Sequence, residues 1–165
     1  MSDSNFNRDF FVRKIFINKN IEDVYELAAT PAGIAKWFID KAEYCYDDNK
    51  FRGDNEPAQP GDKYKFYWLY KDYSADGEVI EAETNKIFKF TFGGAGIVTI
   101  TLSEENQKTL VELKQENYPG KQYDMDAYIN CYVCWTFYLA NLKSVMEAGF
   151  DMRDREDYLE GFVNK

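Results

Sequence analysis

Between Pro60 and Pro119 the chain has no proline, and apolar and polar side chains alternate along it. Tyr64, Phe66, Trp68 and Tyr70 fall on one face of a predicted strand, with Lys63 and Lys65 on the other. Glu78 to Glu81, Phe88-Phe90-Phe92, Val98-Ile100-Leu102 and Val111-Leu113-Gln115 continue the period of two. Turn signals separate them at Glu83 to Asn85, at Gly93-Gly94-Ala95-Gly96 and at Ser103 to Lys108. Connections this short predict antiparallel hairpins, not crossovers.

Upstream, residues 1 to 8 read as a loose arm and Phe10 to Ile17 as a strand rich in aromatic and β-branched residues. Asn20 is placed to cap a short helix whose apolar face is Ile21, Val24, Leu27 and Ala28. Thr30-Pro31 starts a second helix ending near Trp37-Phe38, since proline at the first helical position loses only an N–H that has no partner there. Ala42 to Tyr46 reads as a short strand, and Asp47 to Asp62 as a polar loop.

Downstream the period changes. Ala127 to Leu142 carries no formal charge, and Asp124 to Ala148 is predicted as one long helix, capped by Asp124 and left through Gly149. At 100° per residue Tyr128, Cys131, Tyr132, Trp135, Leu139, Leu142 and Met146 form a stripe that suits a sheet. The opposite side is also apolar at Val133, Phe137 and Ala140, among Asn130, Asn141 and Ser144, so burial on more than one side is expected. Those three residues are the candidate interface for a homodimer, unless the tail from Phe150 to Val163 covers them. The tail itself reads as a second, amphipathic segment through Phe150, Tyr158, Leu159, Phe162 and Val163. A sheet with one apolar face must be covered, and only the long helix is apolar and long enough to cover it.

This order predicts an α+β fold: a curved antiparallel sheet of about six to seven strands, two short helices after the first strand, and a C-terminal helix across the sheet. It is the helix-grip arrangement. Particular residues then resemble a family. Ile17 through Phe38 carries the strand end, the turn Thr30-Pro31 and the Lys36-Trp37-Phe38 signature; Pro60-Gly61-Asp62 opens the long strand. Gly77-Glu78-Val79 with Ile87-Phe88-Lys89-Phe90 makes the next hairpin, and Trp135 to Met146 echoes a final helix. The chain is similar to the START/Bet v 1-like (SRPBCC) superfamily, in the branch of the C-terminal domain of the activator of Hsp90 ATPase. It departs from the pattern at Asn18-Lys19-Asn20, where the family has Ala-Pro, and in the extra residues 149–165. The expected organisation is one domain over 1–165, with a core of about 10–148 and a C-terminal extension at 149–165.

The resemblance implies a cavity between sheet and long helix for an apolar or amphipathic molecule. The candidate walls are Trp37, Phe66, Trp68, Tyr70, Phe88, Phe90, Gln115, Tyr128, Tyr132 and Trp135. Solid core is the competing reading, because inward aromatics normally just pack. Gln115 is the polar oddity; a solvated strand end is favoured for it over a ligand contact. The alternative function is an interaction module, either an Hsp90 cochaperone-like fragment or the helix-mediated homodimer.

Charge narrows the partners. A net charge of −9 opposes nucleic acid and an anionic leaflet alike. The charge-free run is shorter than the roughly 20 residues a membrane span needs, and MSDSNFNRDF has no apolar core of a signal peptide. With three cysteines in no framework spacing, a reduced, cytoplasmic protein is expected. Cys131-x-x-Cys134 lies about two turns inside the helix, away from the terminus that would lower a thiol pKa, so small buried residues are the better reading. The acidic loop Asp47 to Glu56 lacks the glycine at the sixth position and the glutamate at the twelfth that a calcium loop needs. No cofactor or metal is implied. With no histidine and no nucleophile elbow, an enzyme is not expected; its remaining route would be a desolvated carboxylate such as Glu81 or Glu112.

Overall fold

The computed structural model describes residues 9–69, 73–121 and 124–155. Strand β1 (Phe10–Ile17) leads to helices α1 (Ile21–Ala29) and α2 (Pro31–Ala35), then β2 (Lys41–Asp47) and β3 (Lys50–Phe51). Strands β4 (Lys63–Tyr67), β5 (Ser74–Glu83), β6 (Ile87–Thr91), β7 (Ile97–Glu105) and β8 (Lys108–Glu116) follow, and α3 (Met125–Ala148) closes the order. All eight strands join one antiparallel sheet in the order β1-β8-β7-β6-β5-β4-β2-β3.

The strand count exceeds the expected six to seven because of β3, which lies inside the stretch read as a polar loop. Asn49 takes a left-handed conformation (φ 58°) and turns the chain back onto β2 at once. The β7–β8 hairpin is similarly tight. Asn106 and Gln107 both have positive φ, 51° and 63°, the pair that matches the twist of a two-residue hairpin. A bulge between Val79 and Glu81 bends β5, which pairs with β4 through its first half and β6 through its second. Gly77 faces Tyr64 across the β4–β5 pair; a Cβ there would sit 2.4 Å from the Tyr64 ring, so glycine is what lets that ring lie flat on the sheet.

The caps are those predicted. The Asn20 side chain accepts from the Asp23 N–H, Thr30 from Gly33, and Asp124 from Asp126 and Ala127, while Gly149 ends α3 at φ 67°. Helix α2 stops at Ala35, earlier than expected, and a turn carries Trp37 and Phe38 inward. Helix α3 runs beside β1: Phe11 meets Tyr128 and Tyr132 edge-on, Lys143 donates to the Phe16 carbonyl, and Glu147 accepts from the Asn18 N–H. No helix among the described residues is long and apolar enough to cross a membrane.

The core is unusually rich in phenols, and this has a consequence for pH. Burial holds Tyr44 well above the ordinary tyrosine range, raises Tyr64 despite its bond to the Thr91 carbonyl, and raises Tyr25. A raised folded pKa means that stability is fully present below about pH 10, where the unfolded phenols titrate, and is lost as pH climbs towards the folded values. Absorbance at 295 nm should therefore show the buried tyrosines ionising only with cooperative unfolding. With no histidine, the urea midpoint should stay nearly flat from about pH 6 to 8. A change above about 1 kcal/mol within that window would contradict this.

Candidate functional site

The turn after α2, helix α3 and the sheet meet around Phe38. Its ring stacks on Trp135 with centroids 4.6 Å apart, and meets Tyr138 at 4.8 Å and Trp68 at 5.7 Å edge-on. Beside this cluster the packing leaves a crevice of about 80 Å³. Phe38 and Trp135 form its floor, Trp68 and Phe92 its sheet side, and Cys131, Cys134 and Tyr138 its helix side. Asn130, exposed, stands at the rim. Among the described residues no carboxylate lines the crevice.

Of the walls expected from sequence, Trp68 and Trp135 line this crevice. Phe66, Phe88 and Phe90 are wholly buried in the core cluster and are not among the residues that line it. Trp37 is also wholly buried and faces away from the crevice surfaces, donating its indole N–H to the Leu27 carbonyl at 2.9 Å. Tyr132 is half-buried, sandwiched by Phe11 and by the Arg13 guanidinium 3.5 Å from its ring centre. Tyr70 lies outside the described residues. Tyr128 and Gln115 border a separate niche of about 40 Å³ next to the N-terminus of α3.

Gln115 is not the solvated strand end favoured from sequence. It is 4% exposed, and both ends of its amide are used within the protein. Its Nε2 donates to the Ala95 carbonyl at 3.0 Å, and its Oε1 accepts the Trp135 indole N–H at 2.7 Å. Gln115 therefore orients the crevice floor from beneath.

Phe38, Phe92, Asn130 and Tyr138, with the two cysteines, are the lining residues outside the ten candidate walls. Phe92 stood in the inward phase of its strand and Cys131 in the inward stripe of α3, so a signal existed for both. Tyr138 had none, because it lies off the predicted stripe. Burial raises both thiols, Cys134 with help from Cys131 and Cys131 against a bond to Gln115. They stand in the crevice as neutral thiols, which suits small polarizable wall residues more than nucleophiles or metal ligands.

The structure places the other candidates outside this crevice. Glu81 is exposed, and Glu112 pairs with Lys14 at 2.5 Å on the outer face. The acidic loop is organised by its own cation: Arg52 makes two bonds to the buried Asp62, at 2.8 and 3.0 Å, and a third to Glu56. On α3, Val133 is 53% exposed while Phe137 and Ala140 are half-buried, Phe137 packing on Tyr138. Ile129 (52%) and Met125 (41%) extend the exposed side at four-residue spacing. Phe150 of the tail is exposed; Tyr158, Leu159, Phe162 and Val163 lie outside the described residues.

Solved structures share this architecture. A protein from Staphylococcus saprophyticus is 20% identical with a TM-score of 0.67, over 87% of this chain and 96% of that one. The Aha1 dimer from Colwellia psychrerythraea is 20% identical with a TM-score of 0.61, over 85% and 97%. DynU16, from the dynemicin biosynthetic locus, is 17% identical with a TM-score of 0.66; the match takes 89% of this chain but only 50% of that one. No curated protein matches the chain. The fold is the helix-grip of the START/Bet v 1-like superfamily. Residues 18–147 match the model of the family described as Activator of Hsp90 ATPase homolog 1-like protein, and the chain belongs to that family.

Proposed function

We propose that the protein binds a small apolar or amphipathic molecule, with its apolar end in the crevice beneath α3. The observation that carries this is the crevice itself, an aromatic-walled opening beside a core of interlocked rings. At about 80 Å³ it is smaller than the roughly 150 Å³ cavity that admits benzene. Its occupant therefore inserts the edge of a ring or the end of a chain and leaves the rest outside. Asn130 at the rim offers a hydrogen bond, and the exposed Tyr73 beside Trp68 offers a further apolar surface. Binding without turnover is the reading; the described lining is aromatic apart from Asn130 and two thiols that burial keeps neutral. The test is a titration of intrinsic fluorescence with 1-aminoanthracene. Trp68 and Trp135 flank the crevice, so saturable quenching with a micromolar Kd is expected; linear, unsaturable quenching would remove the proposal.

A second reading has its own observation. The exposed Met125, Ile129 and Val133 form an apolar strip along α3, and the solved Aha1 structure from Colwellia psychrerythraea, of this fold, is a dimer. Light scattering should then give twice the chain mass, and Val133→Glu should halve it. A monomeric parent protein would end this reading and leave the first untouched.

A further inference from the structure

The family match stops at residue 147, but the chain goes on and doubles back. Gly149 turns it, and residues 150–155 return across the end of α2. Arg153 is the centre of that return. Its side chain is wholly buried, and it donates to the carbonyls of Ile39 at 2.7 Å and Ala35 at 2.9 Å. Asp151, still partly exposed, neutralises it through three side-chain bonds at 2.9, 3.2 and 2.8 Å. From α3, the buried Asn141 donates to the Trp37 carbonyl and to Asp151, and accepts the Met152 N–H at 2.7 Å. The carbonyls taken are those of 35, 37 and 39, so the polar contacts bracket Phe38 on both sides, and Phe38 is half the crevice floor.

We infer that residues 149–155 are a latch that holds Phe38 on Trp135 and keeps the crevice narrow, with Arg153 as its pin. Release of Arg153 frees the 36–39 turn to swing outward and widens the crevice for a molecule that does not fit the closed one. Two features separate a latch from plain packing. The strap is held by polar contacts to backbone carbonyls, while its apolar Phe150 points to solvent at 63% exposure, so a few hydrogen bonds decide whether it is on or off. A buried guanidinium is also a costly way to gain stability alone, because its desolvation offsets much of the attraction to Asp151. Arg153 is thus a positioning residue for the crevice. The inference rests on the crevice being the binding site, but its test uses no ligand.

Cys131, buried on the crevice wall, is the reporter. In a Cys45→Ser/Cys134→Ser background it is the one thiol left, and its reaction with N-ethylmaleimide is followed by mass. Arg153→Met should raise the labelling rate at least tenfold, with a rate that barely changes in low urea, the mark of a local opening. An unchanged rate, or one that rises with urea along the slope of global unfolding, would overturn the latch. Should Arg153→Met not fold, Arg153→Lys keeps the charge but loses the forked geometry, and is judged by the same two criteria. Accelerated labelling together with failure of the 1-aminoanthracene titration would establish the latch and remove the ligand reading.

Discussion

Trp37→Ala should lower the folding free energy by about 3–5 kcal/mol, the range for removing a fully buried tryptophan. The reason is partly volume and partly a missing donor. Leu27 lies in the last turn of α1, where its carbonyl would normally take the N–H four residues on. That residue is Pro31, which has none. The Trp37 indole fills the gap at 2.9 Å, and the Trp37 carbonyl is in turn held by Asn141 of α3. One residue thereby joins α1, α2 and α3. Trp37→Phe keeps most of the bulk but leaves the Leu27 carbonyl unpaired, and about 1–3 kcal/mol is expected. Urea unfolding of the two variants separates the contributions; a cost below about 1 kcal/mol for the alanine variant would show that the junction is not structural.

Filling the crevice should abolish binding while leaving the fold intact. Cys134 is half-buried on the helix side of the opening, so a larger side chain there has room to occupy the crevice without entering the closed core. Cys134→Phe should weaken 1-aminoanthracene at least thirtyfold, about 2 kcal/mol in binding free energy. Its own stability should fall by less than about 1.5 kcal/mol, since overpacking at a site open to solvent relaxes outward. Val133→Glu, on the exposed side of the same helix, should leave probe affinity unchanged. If Cys134→Phe binds as the parent does, the crevice is not the site.

Local chemistry was the legible part of this chain. Asn20, Thr30, Asp124 and Gly149 declared the helix ends because capping depends on residues a few positions apart. The alternation through β4 and β6 to β8 declared which side chains turn inward, and Phe66, Phe88, Phe90, Val98 and Leu113 are all buried. Inward phase, however, says that a residue is buried, not whether its neighbours leave room. Trp68 and Trp135 border the crevice, while Phe66 and Phe90 in equivalent phase are packed solid. Phe38 was invisible as a wall because its direction is set by where α2 stops, at Ala35. Asn141 read as one polar position among the apolar ones on the far side of the helix, where burial was expected without a partner to name; residues 151–153 return to cover it. Arg153 reads in sequence as one charge in a charged tail. Its burial depends on carbonyls more than a hundred residues upstream, and no periodicity reports a pairing at that range. Gln115 failed for the same reason: its partners, Ala95 and Trp135, come from two other elements.

Native mass spectrometry of the protein purified without detergent from its own source addresses binding most directly. The account predicts an excess over the 19.3 kDa chain that is lost on denaturation and absent from Cys134→Phe. A clean chain mass, or an excess that Cys134→Phe retains, would contradict it.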